Sequence, residues 1–112
     1  DFNPCSGGSN RFATVFIYLN DVPEDQGGFT VFPRAPTLTP ERTLPAGALD
    51  SFRTGSWQHR MTKECFSSLA VEPKMGTAAL FYSITPDGRI DPSSHHGACP
   101  LLGGNDENAV KW

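Results

Sequence analysis

Apolar and polar positions alternate in short bursts along this chain, and glycine and proline, not long polar runs, separate the bursts. Thr14-Val15-Phe16-Ile17-Tyr18-Leu19 is β-branched and aromatic, which predicts a strand buried on at least one face. Asn20 to Gly28 gathers Asp, Pro, Glu and a Gly-Gly pair, a turn composition. Phe29-Thr30-Val31-Phe32 resumes the strand pattern until Pro33 stops it, so the two runs together predict a hairpin.

From Arg34 to Ser68 the periodicity is lost, and Pro36, Pro40 and Pro45 interrupt the stretch. It reads as an irregular loop excursion, long for a compact domain and of the kind that serves as a lid. Leu69-Ala70-Val71 leads to a turn at Pro73-Lys74-Met75-Gly76, and Ala78-Ala79-Leu80-Phe81-Tyr82 predicts a further strand. Thr85-Pro86-Asp87-Gly88 is a turn signal, and a last strand is expected near Asn108 to Trp112. Many short strands with almost no helix predict an all-β fold, a sandwich or jelly roll.

A length of 112 residues allows one domain over 1–112, and eleven Gly with ten Pro favour turns over long helices. Nine basic and twelve acidic residues are well mixed, giving a net charge of −3. No basic stripe speaks for nucleic acid, and no apolar run is long enough to span a membrane. The chain opens abruptly at Asp1 and stops at Trp112 inside a strand-like run, so it reads as a segment of a larger protein or assembly, incomplete at both ends. Three cysteines leave the pairing open: Cys65 with Cys99, or one of them with Cys5.

The chemistry concentrates in Asp91-Pro92-Ser93-Ser94-His95-His96-Gly97-Ala98-Cys99-Pro100, which holds two of the three histidines. Non-haem iron oxygenases bind Fe(II) through two imidazoles and one carboxylate on one face, leaving the opposite positions open. Neighbouring residues on a strand point to opposite faces, so His95 and His96 do not readily share one metal. His59, beside Trp57 and Arg60, reads as a solvated loop residue.

Several runs in order carry a specific resemblance. They are Arg11 to Val22, Gly27-Gly28-Phe29-Thr30-Val31-Phe32-Pro33, Val71 to Gly76, Ala79 to Ser83, and Thr85-Pro86-Asp87-Gly88 with Asp91-Pro92. Ser94-His95-His96-Gly97-Ala98-Cys99-Pro100 and the closing Lys111-Trp112 complete the set. The chain resembles the prolyl 4-hydroxylase family over nearly its whole length outside the excursion. The resemblance implies a double-stranded β-helix of cupin-like, jelly-roll type. It implies hydroxylation of peptidyl proline with Fe(II), 2-oxoglutarate as cosubstrate and ascorbate. It also implies a proline-rich, collagen- or extensin-like substrate, and a place in the endoplasmic reticulum or outside the cell.

Residue by residue, the resemblance makes Asp1 the carboxylate and His96 the distal imidazole of the iron site. It makes Thr30 a hydroxyl contacting 2-oxoglutarate, Trp112 an aromatic beside the same pocket, and Arg11 a holder of the peptide. The family usually has an apolar or other residue before the ligand histidine, where this chain has His95. The partner histidine of Asp1 would lie two positions upstream. Ten residues after the distal histidine the family places a lysine on the far carboxylate of 2-oxoglutarate, and here that position is Asp106. An anion there reverses an interaction worth about 4 kcal/mol at contact distance in partly screened surroundings. Phe29 stands where the family commonly has Glu, and Thr77 where it commonly has Asp. The alternative to an enzyme is a catalytically silent relative that serves as a binding or structural module in a larger extracellular assembly.

Overall fold

The computed structural model describes residues 11–36, 42–102 and 110–112. Its strands are β1 (Ala13–Ile17), β2 (Thr30–Phe32), β3 (Leu69–Val71), β4 (Ala78–Tyr82) and β5 (Gly97–Ala98), with one helix, α1 (Trp57–Ser67), between β2 and β3. They form two small antiparallel sheets, β1-β4 and β3-β2-β5. The fold is mainly β. No helix among the described residues is long and apolar enough to cross a membrane.

The expected hairpin does not form. β1 pairs with β4 (Val15 opposite Leu80), while β2 pairs with β3 and β5, so consecutive strands belong to different sheets. The physical reason is the connection between them. It carries a 3-10 turn at Glu24–Gln26 and is much longer than the few residues that fold a strand back on its neighbour. Gly27 and Gly28 both adopt positive φ at its end, which lets the backbone press against the segment after β5. A Cβ on Gly27 would lie 2.8 Å from the Pro100 carbonyl oxygen, and one on Gly28 2.8 Å from Val110 Cγ2.

The excursion is not irregular throughout. Ser56 caps α1, its hydroxyl accepting from the His59 backbone N–H at 3.3 Å. His59 is therefore a half-buried residue of the first helical turn, not a loop residue. Thr62, Cys65 and Phe66 fall on one helical stripe and are buried. They meet Phe29, Val31, Ala70 and Cys99 in the main core, with Leu44 and Met61 at its margin. Arg42 seals the edge of this core. Its guanidinium lies 5.1 Å above the Phe29 ring, donates to the Ala70 carbonyl at 3.1 Å and pairs with Glu72 at 3.3 Å.

Strand periodicity then sorts β2. Phe29 and Val31 face α1, while Thr30 and Phe32 face the β1-β4 sheet. The three layers are thus α1, the β3-β2-β5 sheet and the β1-β4 sheet. Between the two sheets an aromatic seam runs from Tyr18 through Phe16 and Phe81 to Phe32, with centroid spacings of 5.3, 6.3 and 5.2 Å.

Candidate active site

A cavity of about 460 Å³ opens between the sheets at the end of that seam. Its walls include Thr14 and Phe16 from β1, Thr30 from β2, Phe81 from β4, His96 beside β5, and Trp112. Thr30, His96 and Trp112, three of the residues the sequence points to, therefore share one space.

The register of β5 on β2 sets the first two. Thr30 lies opposite Ala98 and Val31 opposite Gly97, so His96 enters directly before the paired segment. A disulfide between Cys65 and Cys99 ties that segment to α1, with Cα atoms 6.1 Å apart. The Cys99 backbone N–H also donates to the Phe29 carbonyl at 2.8 Å. Met61 packs closely behind Gly97: a Cβ there would lie 2.9 Å from Met61 Cε, so the end of that side chain would have to shift. Helix, sheet and disulfide together fix the backbone that carries His96.

The His96 ring sits against Phe81 and Phe32, at 4.7 and 5.7 Å between centroids. Its Nδ1 lies 2.8 Å from the Ser94 carbonyl oxygen. A carbonyl only accepts, so Nδ1 is the donor in this contact, and in the neutral ring Nε2 then keeps its lone pair. That is the tautomer a metal-binding imidazole adopts when a backbone acceptor orients it. The Ser94 carbonyl is itself placed by a 3-10 turn over Pro92–Ser94, which Asp91 caps by accepting from the Ser93 N–H at 2.9 Å and the Ser93 hydroxyl at 2.6 Å. These bonds, the hydroxyl of Ser93 first, hold the half-buried Asp91 carboxyl below the usual carboxylate range. His95 closes the turn and precedes the strand, so it is not separated from His96 by strand alternation; both residues are exposed.

Thr30 is buried, and its hydroxyl lies 2.7 Å from the Tyr18 hydroxyl. Tyr18 also donates to the Val71 carbonyl at 3.1 Å, which ties β1 to β2 and β3 through one phenol. Burial pushes the Tyr18 hydroxyl above its ordinary pKa, and hydrogen bonding with Thr30 and Trp112 opposes the shift, so it remains a neutral donor at ordinary pH. Sequence reasoning passed over Tyr18 as a strand residue. Its signal was parity, since Thr14, Phe16 and Tyr18 share one face of the run.

Trp112 is held by its backbone neighbours. Leu19 N–H donates to the Lys111 carbonyl at 2.9 Å, and Lys111 N–H donates to Asn20 Oδ1 at 2.8 Å. The Lys111 side chain is exposed and Trp112 lines the cavity. The cavity does not include Arg11, an exposed residue two positions before β1. Asp1, Asp106 and Cys5 lie outside the described residues, as do Asn108 and Ala109 of the strand expected over Asn108 to Trp112; residues 110–112 are not in a strand.

Among the described residues no group of three His, Cys, Asp or Glu side chains comes together. The donor chemistry of His96 fits an Fe(II) ligand, and it is the one imidazole on this cavity.

No family model matches the chain. Curated proteins of Arabidopsis thaliana do. The chain is 39% identical over its full length to "Probable prolyl 4-hydroxylase 10" and 38% identical over its full length to "Prolyl 4-hydroxylase 5". It is 37% identical to "Prolyl 4-hydroxylase 2" over 94% of its residues. It spans 33%, 33% and 31% of these three relatives, about one third of their length. By homology along its whole length, this chain belongs to the prolyl 4-hydroxylase family.

Proposed function

We propose that the protein containing this chain hydroxylates peptidyl proline, with Fe(II) and 2-oxoglutarate at the inter-sheet cavity and ascorbate as reductant. One observation carries the reading: Thr30, His96 and Trp112, drawn from separate parts of the sequence, line the same cavity. His96 would hold the iron through Nε2, with Asp1 as the carboxylate partner. The metal with its oxoacid and O₂ supplies the oxidising chemistry when bound. The chain's own part is positional. Ser94 orients the imidazole, the aromatic walls exclude water, and the Thr30 hydroxyl can donate to a carboxylate when Tyr18 donates to Thr30 in place of Val71. Arg11 would hold the peptide at the rim. A proline-rich, collagen- or extensin-like polypeptide is the substrate proposed, on a jelly-roll scaffold completed by other parts of the protein. The Cys65–Cys99 disulfide supports a home in the secretory pathway or outside the cell.

The test uses the full-length protein with iron, 2-oxoglutarate, ascorbate and a proline-rich peptide. Hydroxyproline and succinate should form together, and their joint absence would overturn the reading. His96→Ala should abolish both.

A second reading, the catalytically silent binding module, has its own support. No lysine or arginine is found among the described residues lining the cavity, and Asp106 stands where a lysine was expected. Titration of the iron-loaded protein with 2-oxoglutarate separates the two, since a silent module would give no binding heat.

A further inference from the structure

On another side of His96 lies a second cavity, of about 390 Å³, that the site described above does not use. Arg34, Ser83, Asp91, Ser94, His95 and His96 line it, and Ile90 and Pro92 add apolar wall. His96 is common to both cavities, so a ligand in the second lies against the proposed iron ligand.

The rim of this cavity is internally satisfied in part. Asp91 accepts from Ser93, and the Ser94 hydroxyl donates to the Asp91 carbonyl at 2.7 Å. Two strong donors remain. Among the described residues neither the Arg34 guanidinium nor the His95 ring has a hydrogen-bond partner. Both are exposed, one directly after the Pro33 that follows β2 and the other at the end of the 3-10 turn. The cavity therefore offers open donors beside apolar surface.

That combination fits a particular kind of chain. A prolyl peptide in the polyproline II form has no N–H at its proline residues and makes no internal hydrogen bonds, so its carbonyls point outward as acceptors without donors of their own. Its pyrrolidine rings are apolar and suit Ile90 and Pro92. Arg34, with five N–H donors in a rigid fork, can serve carbonyls on successive residues. We infer that the second cavity binds the main-chain carbonyls of the peptide segment flanking the reacting proline, with Arg34 and His95 as the donors. The inference deepens the prolyl-peptide reading above and rests on it for the substrate class. It also gives a role to His95, where the family usually has an apolar or other residue.

The measurement is direct binding of a poly-L-proline peptide to the full-length protein by calorimetry, alongside binding of 2-oxoglutarate. Arg34→Ala and His95→Leu should each weaken the peptide several-fold. Together they should raise its Kd about tenfold or more, the loss expected for two hydrogen bonds. Arg34→Lys should fall between wild type and Arg34→Ala. Affinity for 2-oxoglutarate should not move. An unchanged peptide Kd in the double variant overturns the inference, as does a wild-type protein that fails to bind the peptide. Parallel loss of 2-oxoglutarate binding also overturns it, because the variants would then be acting on a shared wall. Peptide binding that depends on both residues in a protein that forms no hydroxyproline sustains this inference and sinks the enzymatic reading. Hydroxylation whose peptide KM ignores the double variant does the reverse.

Discussion

β1 and β2 read alike in the sequence, as apolar-rich runs of similar character, yet the structure treats them oppositely. β2 is buried at every position, covered by α1 on one face and by the β1-β4 sheet on the other. β1 and β4 only half-bury alternate positions, and their outer faces leave Val15 61% exposed and Leu80 58% exposed. Pattern alone fixes which residues share a face; neighbours decide whether that face is covered. The cavity lies where the doubly covered strand meets the inner face of the half-covered sheet, so His96 and Thr30 stand on the rigid side and Thr14, Phe16 and Phe81 on the other.

The comparison breaks first at Phe29. Phe29→Ala removes a fully buried ring that packs edge-on against Phe66 at 5.3 Å. It should cost about 3–5 kcal/mol in urea unfolding. Val15→Ala in this 112-residue chain should stay within about 0.5 kcal/mol, because the side chain is mostly in water. Equal losses at the two positions would show that the sheets do not differ as described. Next is the Cys65–Cys99 bond, which closes a loop of 34 residues. Reducing it, or making the Cys65→Ala, Cys99→Ala double variant, should lower stability by about 2–4 kcal/mol. It should also raise hydrogen exchange at the Cys99 amide, which bonds to Phe29. Unaltered exchange there would mean that strand pairing alone holds the His96 segment.

A smaller effect is expected at Tyr18. Tyr18→Phe keeps the ring but leaves the Thr30 hydroxyl and the Val71 carbonyl without this partner. It should cost about 1–2 kcal/mol and weaken any ligand that relies on the Thr30 hydroxyl. A silent Tyr18→Phe in both respects would show that the phenol does not couple the two sheets.

Much of the strand content was legible. The run Ala78 to Tyr82 is the observed β4, and Thr14 to Leu19 overlaps β1, because both are short apolar runs bounded by turn or polar residues. The pairing of β1 and β2 was not legible, since partners chosen across long sequence gaps leave no local trace. Helix α1 was hidden by the prolines before it, although Ser56 as a cap and the Thr62, Cys65, Phe66 spacing were present in the sequence. That His96, Thr30 and Trp112 would meet was implied only by resemblance. Composition does not reveal that a carbonyl two residues away, at Ser94, sets the tautomer of His96. The second cavity at Arg34 and His95 depends on two distant turns converging, and nothing local announces that.

The smallest expected effect concerns acid, and it acts on the turn that carries His96. Asp91 is half-buried, and its carboxyl is held low by the Ser93 hydroxyl and then by the Ser93 backbone N–H. A carboxylate with a lowered folded-state pKa contributes its stabilisation above the unfolded value, about 3.9, and loses it as pH falls through the folded one. The Pro92–Ser94 turn should therefore hold at neutral pH and loosen only in strong acid. Asp87 is depressed in the same direction by Thr85 and Arg89, so a bulk melt would mix the two groups. Residue-level amide shifts of Ser93 and Ser94, followed by NMR from pH 6 downward to about pH 2, separate them. Asp91→Asn keeps an acceptor for Ser93 but has no proton to gain, so the turn should persist while its acid transition disappears. An identical transition in Asp91→Asn would assign the acid sensitivity elsewhere, and would leave the placement of the Ser94 carbonyl under His96 to the disulfide and β5 alone.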